Sequence, residues 1–157
     1  MLAKKDMQII ANLRQNSRMS LTKMSRKTAI PVSTIFDKLK VYEGKLIQKH
    51  TSLLDFAKLG YNTRANITLK TNKDKREELK QFLTKHQNIN SVYKINNGYD
   101  FLAEAVFKNI RELEDFLELL EEKFDVTERN VYYIIEDIKR EAFMNNENLV
   151  LVEGGAK

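Results

Sequence analysis

Helical spacing governs the first third of the chain, and strand alternation interleaved with helices governs the rest. Met7, Ile10 and Leu13, with Ile9 alongside, predict a first helix from about Lys4 to residues 14–16. Asn16, Ser17 and Arg18 supply a turn, and Ser20 stands where a second helix needs an N-cap. Leu21 and Met24 mark that helix's buried side, and Ile30 with Pro31 ends it. Pro31 suits the first turn of a third helix, where a missing N–H costs nothing. Ile35, Leu39 and Tyr42, at i, i+4 and i+7, form the third helix's apolar face, and Gly44 ends it. The expected small core is Ile10, Leu13, Leu21, Met24, Ile30, Ile35 and Leu39.

Residues 45–60 read as a strand plus linker, with Leu46 and Ile47 near its start and Gly60 at its end. From Tyr61 the period becomes two: Ala65, Ile67 and Leu69 alternate with Arg64, Asn66, Thr68 and Lys70. Asn72 can cap a helix over 73–86, and residues 89–95 read as a second strand. Asn96-Asn97-Gly98 is a turn signal leading into a third strand over 100–107. Asn109 can cap a helix striped by Ile110, Leu113, Phe116, Leu117 and Leu120, and a fourth strand spans 128–138. The expected fold class is therefore α+β: a three-helix, winged-type helix-turn-helix domain followed by a ferredoxin-like βαββαβ domain. The divisions are 1–44, 45–60, 61–140 and a C-terminal extension, 141–157, whose LVLV run can pair at a sheet edge. In the third strand Leu102 and Val106 oppose Phe101, Ala103, Ala105 and Phe107. A sheet apolar on both faces calls for cover on the second, and a homodimer supplies it.

Charge sharpens this division. Residues 1–55 hold 11 Lys and Arg against 4 Asp and Glu, a balance of +7, whereas residues 56–157 balance at −2. A basic first third suits a polyanion such as double-stranded DNA. With 42% hydrophobic and 31% charged residues, the chain is globular rather than disordered. No apolar run approaches the roughly 18–20 residues needed to span a bilayer, so no membrane partner is expected. The amino terminus lacks the pattern of a signal peptide, and the absence of cysteine suits a reducing cytoplasm.

A helix-turn-helix sets its second helix in the major groove while the first braces on phosphate. Here Ser33, Thr34, Asp37, Lys38 and Lys40 occupy the face opposite the apolar stripe and are the candidates for base or phosphate contact. Ser33 and Thr34 can also act as caps, and Asp37 can accept from a cytosine amino group or pair with a neighbouring cation. Arg18, Lys23, Arg26 and Lys27, with Lys45 and Lys49, fit backbone positioning, or are solvated surface charges.

This order of elements resembles the Lrp/AsnC, or feast/famine, family of transcription regulators over residues 4–140. The resemblance is carried by Asn16-Ser17-Arg18 with Leu21 and Met24, by Ile30-Pro31-Val32-Ser33-Thr34-Ile35, and by Glu43-Gly44-Lys45-Leu46-Ile47. Leu59-Gly60, Asn97-Gly98-Tyr99-Asp100 and Asp137-Ile138-Lys139-Arg140 extend it. Pro31 and Asp37 depart from the family's frequent serine and basic residue, and the tail beyond Arg140 is unusual. The resemblance implies dimers through the sheet domain, often assembling further. It also implies an amino acid or related metabolite bound near the loop of Asn97, Gly98, Tyr99 and Asp100. A glycine there lets backbone N–H groups approach a carboxylate, and an aspartate can take an ammonium. The same residues also suit a plain hairpin turn.

Other chemistry finds little support. His50 and His86 stand far apart with no ligand spacing around them, so no metal or cofactor is expected. Phosphate loop, dinucleotide fingerprint and nucleophile elbow are all missing from the sequence. An enzyme alternative is that some siroheme decarboxylases look like this two-part architecture. Arg64, His86 and Arg129 are the candidates for a propionate-bearing macrocycle, but they form no motif.

Overall fold

The computed structural model describes residues 2–146, so the expected LVLV strand lies outside the described residues. The chain divides into two compact units, one holding residues 2–52 with 138–146, the other spanning Leu53–Asp137. The boundary thus falls at Ser52, between the expected breaks at Gly44 and Gly60.

The first unit contains α1 (Lys4–Gln15), α2 (Leu21–Thr28) and α3 (Val32–Tyr42). Ser20 caps α2 as expected, its Oγ accepting from the Lys23 N–H at 3.2 Å. The helix ends two residues before Ile30. Thr28 Oγ1 bonds back to the Met24 carbonyl at 2.8 Å, and Ala29 takes the left-handed conformation, φ 57°. Pro31 sits at the N-cap of α3 rather than inside it, where its carbonyl accepts from the Ile35 N–H at 3.0 Å. Ile9, Met24, Ile30, Ile35 and Tyr42 form the core, with Ile10, Leu13, Leu21 and Leu39 packed around it. Ile9 therefore takes the central place expected of Ile10.

The strand expected in 45–60 does not form. A single bridge joins Glu43 to Ile47, and a short 3-10 turn spans Ala57–Leu59. Residues 138–146 strap back onto the end of α1. Arg14 Nε donates to the Phe143 carbonyl at 2.9 Å, its Nη2 donates to the Glu141 carbonyl at 2.8 Å, and Gln15 Nε2 donates to the Asn145 carbonyl at 2.6 Å.

The second unit is a four-stranded antiparallel sheet in the order β2-β3-β1-β4, with β1 (Thr63–Thr71), β2 (Ile89–Lys94), β3 (Phe101–Phe107) and β4 (Val126–Tyr133). Two helices, α4 (Arg76–Lys85) and α5 (Ile110–Phe124), join the strands in the βαββαβ sequence. Asn109 caps α5 through the Glu112 N–H at 3.0 Å, whereas Asn72 precedes a 3-10 turn and its side chain makes no cap bond. Ala65, Ile67, Leu69, Leu79, Leu83, Leu113, Leu117 and Leu120 are fully buried together, closing the inner sheet face against both helices.

The outer face departs from expectation. Register sets Leu102 against Thr68, Glu104 against Asn66, and Val106 against Arg64, with Asn130 beyond Thr68 and Tyr132 beyond Asn66. On this face the inner strand β1 is therefore polar, and the apolar groups lie on its neighbours β3 and β4.

Candidate nucleic-acid interface

Turning Ile35, Leu39 and Tyr42 inward sends the opposite side of α3 to solvent. Val32, Ser33, Phe36, Asp37, Lys40 and Val41 are all exposed there, while Thr34 and Lys38 are half-buried. Ser33, Asp37 and Lys40 thus share one outward face, as a groove-reading helix requires. The Lys40 ammonium lies over the Phe36 ring, 4.4 Å from its centroid.

Lys38 is engaged elsewhere. Its Nζ is 2.5 Å from Asp6 Oδ1, and the same oxygen accepts from the Tyr42 hydroxyl. Asp6 Oδ2 accepts from the Ala3 N–H at 2.9 Å, which fixes the start of α1. With its side chain only 12% exposed, this carboxylate is held below the usual aspartate range by Lys38 and then by Tyr42. Burial and the Asp6 hydrogen bond push the Tyr42 phenol up. The three side chains lock α3 onto α1.

Helix α2 packs on α3 and exposes Lys23, Arg26 and Lys27. Lys27 Nζ donates to Gln15 Oε1 at 2.9 Å. Arg18 is exposed just beyond Asn16, whose Oδ1 accepts the Arg18 N–H at 2.9 Å and shapes the turn. Neither Val32 nor Phe36 stands among the contact candidates expected from the sequence. The signal was present: Phe36 lies one residue, about 100°, past Ile35 and so off the buried stripe.

In the second unit Asn97 (φ 64°) and Gly98 (φ 84°) form an exposed left-handed turn. Asp100 is committed within the unit: Oδ1 is 2.8 Å from Arg76 Nε, and Oδ2 accepts from the Thr71 N–H at 2.9 Å. Its backbone N–H donates to the Leu69 carbonyl at 2.8 Å. A ligand ammonium would reach this carboxylate only in competition with Arg76. Asn130 Nδ2 donates to the Tyr99 hydroxyl at 2.6 Å and to Thr68 Oγ1 at 3.1 Å, so Tyr99 anchors the loop to the outer face.

The three candidates for a macrocycle are not brought together. Arg64 lies on the outer face, paired bidentately with Asp137. Arg129 is opposite Leu69 on the helix side, bound to Glu121 at 2.7 Å. His86 packs at a tilt against Phe116 and Phe82, with 4.8 and 5.3 Å between ring centroids, and burial lowers its pKa. Among the described residues no His, Cys, Asp or Glu cluster could hold a metal, and no helix is long and apolar enough to cross a membrane.

Comparison with known proteins bears on both units. The family model of the Lrp/AsnC ligand binding domain matches residues 64–143. The HTH-type transcriptional regulator FL11 of Pyrococcus horikoshii is 33% identical over 116 residues, covering 73% of this chain and 77% of that protein. An uncharacterized HTH-type transcriptional regulator of Pyrococcus abyssi is 27% identical over 142 residues, covering 90% and 97%. Among solved structures, a transcriptional regulator from Neisseria meningitidis in complex with L-Met superposes with TM-score 0.81 at 22% identity, over 89% of this chain and 94% of that one. LrpC of B. subtilis gives TM-score 0.80 at 20% identity, over 88% and 98%. At these identities the two structures speak for the fold.

Proposed function

The chain belongs to the Lrp/AsnC family of transcriptional regulators, and on that premise we propose that it binds double-stranded DNA of defined sequence as a homodimer. Helix α3 enters the major groove, and α2 braces against phosphate. The observation that carries this reading is the exposed face of Ser33, Asp37 and Lys40 on α3, with Lys23, Arg26 and Lys27 exposed on the helix packed against it. Cations there release counterions from the duplex, while side chains on the groove face discriminate between bases. Work on DNA and a chain without cysteine both suit the cytoplasm.

The second copy docks on the outer sheet face, where half-buried Leu102 lies beside the polar β1 and Tyr93 and Tyr132 stand exposed. A two-fold dimer presents two recognition helices to a two-fold site. An amino acid or related metabolite modulates binding at the loop of Asn97, Gly98, Tyr99 and Asp100. The matched family description as a ligand binding domain and the L-Met complex of a structural neighbour support this.

Selection from random duplexes, followed by salt titration of the wild type and of Ser33→Ala/Lys40→Ala, tests the reading. A two-fold consensus bound with a steep salt slope, and lost in the variant, is expected. Binding indifferent to sequence and to the variant would refute it. A thermal-shift screen of the amino acids then tests the effector, and a flat result across all of them removes it.

A further inference from the structure

Helix α3 has the sequence VSTIFDKLKVY, with no arginine, asparagine or glutamine. The side chains that read guanine or adenine through two parallel hydrogen bonds are thus missing from it, apart from lysine. Of its two lysines, Lys38 is bound to Asp6, and the Lys40 ammonium lies 4.4 Å from the centre of the Phe36 ring. The groove-facing surface that remains is apolar along one edge. Val32 is 42% exposed and Phe36 48%, and as an i, i+4 pair they stand one above the other in the first half of the helix. That half is the part a helix-turn-helix brings against base edges. Asp37 follows as an exposed acceptor with no donor of its own.

We infer that α3 recognises thymine through its 5-methyl group, with Val32 and Phe36 as the contacting side chains; this rests on the DNA-binding reading above. The thymine methyl is the one apolar feature on the major-groove edges of the four bases, so an apolar pair facing the groove has one base to prefer. Charge complementarity brings the helix there, since Lys40 lies over the Phe36 ring and Lys23, Arg26 and Lys27 are exposed on α2, which packs against α3. Lys40 stays on the Phe36 ring and carries its charge to the groove margin, where phosphate lies. Asp37 takes an exocyclic amino group of adenine or cytosine, both of which are donors. The recognised half-site consequently carries one or two thymines in the stretch under the start of α3.

The test uses the full chain and the duplex that it selects from a random pool. Each thymine in the half-site is replaced in turn by deoxyuridine, which deletes the methyl and leaves every hydrogen-bonding group in place. One or two positions should weaken wild-type binding by about four-fold each, the worth of one buried methyl group. In Phe36→Ala, affinity for the thymine duplex falls by about ten-fold and the deoxyuridine penalty at its position disappears. Val32→Ala abolishes the penalty at a neighbouring position, and Ser33→Ala weakens binding but keeps both penalties. Unfolding curves matching the wild type show that these exposed-site variants fold. A defined consensus with no deoxyuridine penalty, or a penalty that persists in both Phe36→Ala and Val32→Ala, overturns the inference and leaves the regulator reading intact. A pool that yields no consensus overturns both.

Discussion

The ammonium of Lys38 is bound to the carboxylate of Asp6, thirty-two residues earlier in the chain, with 2.5 Å between Nζ and Oδ1. A lysine on the polar side of α3, expected from the sequence to meet DNA, thereby serves as a strut. It holds α3 at a fixed angle on α1, together with the Tyr42 hydroxyl on the same oxygen. Removing Lys38 leaves a carboxylate only 12% exposed without its cation, held by the Tyr42 hydroxyl and the Ala3 N–H.

Lys38→Met should therefore lower the unfolding free energy by about 1–3 kcal/mol. It should leave the slope of log affinity against log salt unchanged. Arg26→Ala and Lys40→Ala should do the reverse, each reducing the slope by about 1 with little change in stability. Denaturant titration and a salt series of DNA binding separate the two behaviours. A reduced slope in Lys38→Met would return that residue to the phosphate contacts.

The Asp6 carboxylate titrates below its ordinary value of 3.8 because Lys38 and Tyr42 hold its charged form. Its contribution to stability is complete above that value and is lost as pH falls through the lowered one. Acid unfolding of the helical unit should steepen below about pH 4. Asp6→Asn should be less stable near neutrality and lack that component.

His86 produces a second window, in the sheet unit. Burial among Phe82, Phe107 and Phe116 lowers its pKa from 6.5 in the folded state, so the unfolded chain takes up the proton first. The neutral ring's contribution is present above 6.5 and fades as pH falls through the lowered value. The midpoint of thermal unfolding should decline in this window for the wild type and decline less in His86→Phe.

Two turns offer opposite substitutions. Ala29 occupies the left-handed region at φ 57°, so Ala29→Gly should raise stability by up to about 1 kcal/mol despite the flexibility it adds to the unfolded chain. Gly98 lies at φ 84° with open space where a Cβ would stand, so Gly98→Ala should cost about 1 kcal/mol through backbone strain alone. Chemical denaturation of each variant reads both effects.

Asp100→Ala removes the acceptor for the Thr71 N–H and the partner of Arg76. A loss of about 1–3 kcal/mol in the sheet unit is expected, measurable without any effector present. Asp100→Asn, which keeps an acceptor oxygen, should recover part of it. An undiminished midpoint in Asp100→Ala would release this carboxylate for a ligand.

The alternation of Ala65, Ile67 and Leu69 made β1 readable, because one face of that strand is wholly buried and the other is not. The same kind of pattern predicts a last strand over 128–138, whereas β4 runs Val126–Tyr133. Apolar residues continue through Ile135 and Ile138, yet those side chains are 97% and 93% exposed. Pairing stops near Tyr133 and Ile134, which meet Ala65 and Arg64 one to two residues from the start of β1 at Thr63. A strand's length depends on its neighbour, which one-dimensional pattern does not contain. The same limit hid the tie of Lys38 to Asp6 and of Asp100 to Arg76. Residue type announced a charge, but its partner was set by the fold. Phe36 differs: its place about 100° past Ile35 sets it off the buried stripe in the sequence itself, but only the packed helix shows the ring 48% exposed beneath the Lys40 ammonium.

The strap that Arg14 holds through the carbonyls of Glu141 and Phe143 also sets an order of events during synthesis. Arg14 leaves the ribosome 129 residues before Phe143. At ribosomal speeds of about 5–20 residues per second, that is a delay of roughly 6–26 s. The whole sheet unit emerges within it. The helical unit, although first in the chain, therefore receives its last hydrogen-bond acceptors after the sheet has had time to close, and a chain truncated at Asp137 would carry a helical unit in which the Arg14 and Gln15 side chains still lack the strap's carbonyls.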